Sequence, residues 1–221
     1  MENAPAIVKS CYKALLNKAE HPVVLLNDTN YSDYVELPEF IISKYRNGRI
    51  SRTHFSDILR TALLYQNGGL WIDSTMLLTG KIPLYVWNSD MFCFKFHPDK
   101  IKWQVASNQF IRAHAGNKIL GRTLSALYCY WDSHNKIKDY FLYHYIFAVA
   151  VNLSCDTKKL FFDIPVRYSE ENHIMQAWMF KKFIPDDWEW LKARSFVHKL
   201  TYKVVEDKKD DDTYYKHIIN L

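Results

Sequence analysis

The sequence predicts an α/β fold, with strands alternating with helices along one domain. Three observations carry this. Short apolar or β-branched runs closed by turn formers recur as PVVLLND (22–28), LWID (70–73) and DMFCFKF (90–96). Between and after them, apolar residues return at helical spacing. The composition is globular: 221 residues, 48% hydrophobic and 24% charged, enough for a core of its own.

Asn3-Ala4-Pro5 opens the first helix, with a cap residue and a proline in its first turn. Ile7, Cys11, Ala14 and Leu15 then share a face. PVVLLND follows as a buried strand, and YSDYVELPEFIISKYRNG holds one or two short helices ending at Gly48. The clearest helix spans 53–66, where Phe55, Ile58, Leu59, Ala62 and Leu63 repeat at helical spacing. Asn67-Gly68-Gly69 stops it, because glycine takes a left-handed C-cap without penalty. LWID is then a short strand, with Trp71 and Asp73 on the face opposite Leu70 and Ile72. In DMFCFKF, Met91, Cys93 and Lys95 share one face. GNKILGRTLSALYCYWDSH is an amphipathic helix through Ile119, Leu120, Leu124, Leu127 and Trp131. A further helix starts near Asp139, EENHIMQAWMFKKF is helical, and 205–221 forms a charged tail with an apolar finish.

Several function classes are set aside by composition. The net charge of +5 suits an anionic ligand or a membrane surface. Lys and Arg are dispersed among acids, so no nucleic-acid partner is expected. Four cysteines without a C-x-x-C pair read as free buried thiols in a reducing compartment. No signal pattern opens the chain, and no apolar run reaches the roughly 20 residues of a membrane span. A cytoplasmic protein is expected, compatible with peripheral contact at the inner face of a membrane. Neither a phosphate loop nor a nucleophile elbow occurs, and His114, His134, His173 and His217 lack metal-ligand spacing.

The informative stretch is LLYQNGGLWIDSTMLL. An aspartate at a strand's carboxyl end is where open α/β sheets meet ligands; a plain surface aspartate is the alternative. Upstream, Asp57 and Arg60 in SDILR lie three apart and are neighbours on the helix. They form either a surface ion pair or a pair facing a hydroxyl-rich ligand, with the carboxylate accepting and the guanidinium donating.

FSDILRTALLYQNGGLWIDSTMLLTGKIP resembles the donor-binding core of capsular polysaccharide synthesis proteins. These are similar to DXD-containing sugar transferases of glycosyltransferase family thirty-two and to large clostridial glucosylating toxins. The resemblance continues through NQFIRAHAGNKILGRTLSALYCYW, DYFLYHYIF and SFVHKLTYK. It implies a GT-A fold in a single domain, 1–221: a Rossmann-type nucleotide-sugar-binding sheet flanked by helices, with a helical acceptor region. It further implies a bacterial-type hexosyltransferase that moves a hexose from a UDP- or GDP-sugar to a polysaccharide or lipid-linked acceptor. Carried over by position, Asp57, Arg60, Trp71, Asn108 and Lys199 hold the donor. Asp73 is the first aspartate of the motif and catalytic. Asp139 is the general base for the incoming hydroxyl, or a helix cap. Asp73, Thr75 and His198 are the implied ligands of Mn²⁺ or Mg²⁺.

Two departures qualify this. The motif reads Asp73-Ser74-Thr75, so a hydroxyl stands where the second carboxylate belongs, and a hydroxyl is a weak ligand for a hard cation. Related chains begin with a base-binding strand resembling I-P-K-I-I-W-x-x-W, which precedes the start of this one. Both departures motivate an alternative, a non-catalytic sugar-binding or assembly subunit.

Overall fold

The computed structural model describes residues 2–99, 103–203 and 212–221. In chain order the helices are α1 (Ala6–Lys18), α2 (Glu39–Arg46), α3 (Arg52–Asn67), α4 (Leu84–Trp87), α5 (Lys118–Ser133), α6 (Leu142–Asn152), α7 (Cys155–Phe162), α8 (Ser169–Trp178), α9 (Pro185–Arg194) and α10 (Tyr214–Ile219). The strands are β1 (Gly69–Ile72), β2 (Met76–Leu78), β3 (Met91–Lys95), β4 (Ala106–Ala113) and β5 (Val197–Lys199). The class is mixed α/β with small sheets, ordered β1-β4-β3 and β2-β5. The chain divides into two compact units.

Unit 2 comprises Leu25–Trp71 and Asn88–Val166. Its sheet is centred on β4, which pairs antiparallel with β3, Met91 opposite Ala113. Every residue of β3 is buried, as a continuous apolar run in a covered strand requires. Phe92, Phe94 and Phe110 meet edge to face at 5.3–6.0 Å in the core. Ser51 caps α3 by accepting from the His54 amide, and Phe55, Ile58, Leu59 and Ala62 are buried. Asn117 caps α5 by accepting from Ile119 and Leu120. The α5 stripe from Ile119 to Trp131 is buried as its spacing predicts, and α5 packs on α3 and α6.

Unit 1 comprises Met1–Val24, Ile72–Trp87 and Arg167–Leu221. Here β2 and β5 pair antiparallel, Leu77 opposite His198. Helix α1 packs on β2, α8 on β5, and α10 on α1. Ile7, Cys11, Leu77, Met175, Leu191 and Ile218 form the centre of its core.

Two expectations change, and one strand is new. Residues 22–28 form neither helix nor strand, and Val24 and Leu25 are 48% and 39% exposed, so this apolar run has no partner strand to bury it. Strand β4 was missed because Ser107, Asn108, Gln109 and Arg112 interrupt its apolar pattern, although three of these four are buried. Most of the charged run, 204–211, lies outside the described residues; beyond it, Tyr214, Tyr215 and Ile218 belong to the core. All four cysteines are free, but only Cys11 and Cys93 are buried, their thiols pushed up to about 12 by desolvation; Cys129 and Cys155 are exposed.

Candidate functional site

In unit 2 the SDILR residues sit inside the protein. Asp57 and Arg60 are 6% and 4% exposed, so they are not the surface ion pair that their position off the apolar stripe allowed. The Asp57 carboxylate accepts from Asn108 Nδ2 at 2.8 Å and lies 3.5 Å from the Arg60 guanidinium. Arg60 donates to the Asn108 carbonyl, and to the carbonyl and hydroxyl of Ser56 at 3.1 and 3.0 Å. Its guanidinium also lies over the Trp71 ring, 5.1 Å from the centroid. Asp57, Arg60, Trp71 and Asn108, all implied donor residues, thus meet in one network joining α3 to β4. Trp71 and Asn108 are the half-buried members.

The glycine pair explains how α3 can lead straight into β1. Gly68 has φ 71° and ψ −162°, a conformation essentially reserved for glycine. A Cβ there would lie 2.8 Å from the Ala115 nitrogen and 3.1 Å from the Ala113 oxygen. Gly68 is therefore required both by its dihedrals and by the close approach of the end of β4. Gly69, at φ 100°, makes the second half of the turn.

In unit 1 the DST motif is itself a tight turn: the Met76 amide donates to the Asp73 carbonyl at 2.9 Å, and β2 follows. The Leu200 amide donates to the Thr75 carbonyl at 2.9 Å, tying this turn to the end of β5. Lys199 Nζ donates to Thr75 Oγ1 at 2.7 Å and lies 3.4 Å from Asp73 Oδ2. The Asp73 and Lys199 side chains are 23% and 21% exposed.

His198 takes no part in this group. Strand alternation turns it to the other face, where it is fully buried, and its Nε2 lies 3.1 Å from Thr79 Oγ1. Desolvation pushes its pKa down to about 4, so the ring is neutral at physiological pH. The turn offers one carboxylate, the Ser74 and Thr75 hydroxyls and a lysine ammonium. A hard divalent cation takes several oxygen ligands, and an ammonium this close to the carboxylate repels it. Among the described residues, no group of three or more His, Cys, Asp or Glu is arranged to hold a metal ion. These residues do not fit a resident Mn²⁺ or Mg²⁺.

Asp139 is exposed, and its carboxylate accepts from the Phe141 amide at 2.7 Å, shaping the turn before α6, which begins at Leu142. His144 is half-buried between the Ala106 carbonyl, 3.2 Å away, and the Gln104 amide; desolvation lowers its pKa. Sequence reasoning missed His54. Its Nδ1 lies 3.7 Å from Asp57 Oδ2, and its ring meets Tyr140 edge-on at 5.8 Å. The signal was present, since His54 precedes Asp57 by the same three residues that separate Asp57 from Arg60.

Among curated proteins the chain is similar to the O-glycosyltransferase braB of Annulohypoxylon truncatum, with 28% identity over 125 residues. That match covers 51% of this chain and 29% of the relative, so the chain spans under a third of that protein's length. Among solved structures it is similar to a PaToxG glycosyltransferase at 14% identity and a TM-score of 0.37, over 86% of this chain and 56% of the other. No helix among the described residues is long and apolar enough to cross a membrane. Residues 1–218 match the family described as capsular polysaccharide synthesis protein, and the chain belongs to that family.

Proposed function

We propose that this chain is a glycosyltransferase of the GT-A kind, moving a hexose from a nucleotide diphosphate sugar to a polysaccharide or lipid-linked acceptor. One observation carries the reading: a half-exposed carboxylate, a hydroxyl and an ammonium are held together at the Asp73-Ser74-Thr75 turn. That set suits a ligand bearing both hydroxyls and anionic oxygens. Family membership and the glycosyltransferase name of a relative point the same way.

In this reading the acceptor hydroxyl oxygen bonds to the anomeric carbon as the bond to the diphosphate oxygen breaks. Asp73 accepts from ribose or sugar hydroxyls, and Lys199 meets the developing charge on the diphosphate. In unit 2, the buried Asp57 and Arg60 hold Trp71 and Asn108 in place. The hydroxyl proton passes to the departing diphosphate oxygen. A thermal-shift screen tests this with UDP-glucose, UDP-galactose, GDP-mannose, UDP and GDP, each with Mn²⁺ and with chelator. A raised melting temperature with one nucleotide class is expected. No shift with any ligand overturns the reading.

A second reading, a non-catalytic assembly subunit, has one observation in its favour. Phe141, Tyr145, Val149 and Leu153 form an exposed stripe four residues apart along α6, with Trp103 against Phe141 and Tyr145. It requires a self-associated chain, broken by Val149→Glu, and no response to nucleotide.

A further inference from the structure

We propose that the cation serving the diphosphate is the Lys199 ammonium, so that this chain binds its donor without a divalent metal ion. The inference rests on the glycosyltransferase reading and concerns how its site neutralises charge.

The lysine is fixed from both sides. Met76 stands opposite Lys199 in the β2–β5 register, and the Leu200 amide bonds the Thr75 carbonyl. The side chain has little freedom left, because Thr75 Oγ1 holds Nζ at 2.7 Å. An ammonium has three N–H donors in rotatable, roughly tetrahedral array. Two are directed at Thr75 and Asp73, and the third is available to an anionic oxygen. Since Thr75 Oγ1 accepts from Lys199, its own hydroxyl hydrogen is left to donate to the same anion.

Charge favours the lysine over a metal ion. Within the turn, the Asp73 carboxylate is already paired with one ammonium, that of Lys199. Adding a divalent ion beside them would place two positive charges close to an ammonium that already neutralises the carboxylate. A second carboxylate would offset this, but position 75 is threonine. His198 supplies no ligand, being buried on the opposite strand face and bonded to Thr79. At about one-fifth exposure, the Lys199 and Asp73 side chains are reachable by a ligand yet partly shielded from water, which strengthens a charge-assisted hydrogen bond.

The test is calorimetric titration of the full chain with UDP, GDP and their sugars, in EDTA and in Mn²⁺. The affinity of wild type in EDTA is expected to lie within about twofold of that in Mn²⁺. Lys199→Met should weaken diphosphate binding by about tenfold or more, while Lys199→Arg keeps most of it. Circular dichroism and melting of each variant separate this from misfolding. Should Lys199→Met not fold, the wild-type comparison and Lys199→Arg still decide. Binding by wild type only in Mn²⁺ overturns the proposal and leaves the glycosyltransferase reading standing. So does unchanged binding by a folded Lys199→Met. No nucleotide binding under any condition overturns both.

Discussion

Two groups of similar chemistry behave differently in this chain. In unit 2, Asp57 and Arg60 are buried, and each is hydrogen-bonded or ion-paired to neighbours on α3 and β4. In unit 1, Asp73 and Lys199 form a contact of similar length, 3.4 Å against 3.5 Å, at about one-fifth exposure. Each group has a carboxylate, a cation and neutral partners, so residue type does not separate them; burial does. A buried pair must satisfy itself, because desolvated charge without partners is costly. Its members are committed to one another. A partly exposed pair stays within reach of a ligand.

The sharpest way to break that contrast is to delete one carboxylate from the buried network. Asp57→Ala should lower folding stability by about 3–5 kcal/mol, because it leaves the Arg60 guanidinium buried without its carboxylate. Urea unfolding measures it. A variant that unfolds like wild type would show the network to be dispensable for the fold.

Acid provides the next largest effect, and it falls on unit 1. His198 has its pKa lowered from 6.5 to about 4 by burial. The folded protein therefore binds fewer protons than the unfolded chain between these values. Stability is full above about pH 6.5 and falls as pH drops toward 4, by on the order of 3 kcal/mol for this residue. His144 and His173 have pKa values lowered in the same direction and add to the loss. His198→Gln retains a side-chain amide for Thr79 and should flatten the decline in melting temperature between pH 7 and pH 4. An unchanged slope would move the acid sensitivity elsewhere.

The sequence made some of this legible and hid the rest for identifiable reasons. Helices α3 and α5 could be read because each has a clear apolar stripe and a stop or cap residue, Gly68 and Asn117. Strand β3 was readable as an apolar run. Strand β4 was hidden because it carries polar residues into the interior, and those residues are the ones α3 uses: Asn108 meets both Asp57 and Arg60. The spacing of Asp57 and Arg60 showed them to be neighbours, but not whether they faced solvent, since burial there depends on a strand 48 residues away. Position 199 is similar. Spacing cannot bring Lys199 to Thr75, 124 residues apart; the β2–β5 register does.

Gly68→Ala probes the rigid side of the comparison with a smaller effect. Alanine in this glycine-only conformation costs about 1–3 kcal/mol, with a further contribution from its contact with Ala115 and Ala113. Differential scanning calorimetry should show a lower melting temperature. Gly69→Ala has open space around its Cβ and should cost only the dihedral strain. Equal losses at the two positions would mean that the approach of β4 to Gly68 carries no energy.

The smallest effect on stability is expected where the effect on function is greatest. Asp73 is partly exposed and 3.4 Å from Lys199, so Asp73→Asn should change folding stability by no more than about 1 kcal/mol. Removing a charge that acts on a ligand should lower turnover by about 100-fold or more. The conservative change keeps the side chain's shape and the Asp73 backbone carbonyl that receives the Met76 amide, so the turn stays closed. Melting curves and sugar transfer, measured on the same preparation, give the two readouts. Full activity would remove Asp73 from the mechanism and return the glycosyltransferase reading to family membership alone. A large loss of stability would mean that the turn's charge pair supports the fold as the Asp57–Arg60 pair does, and burial would no longer distinguish the two groups.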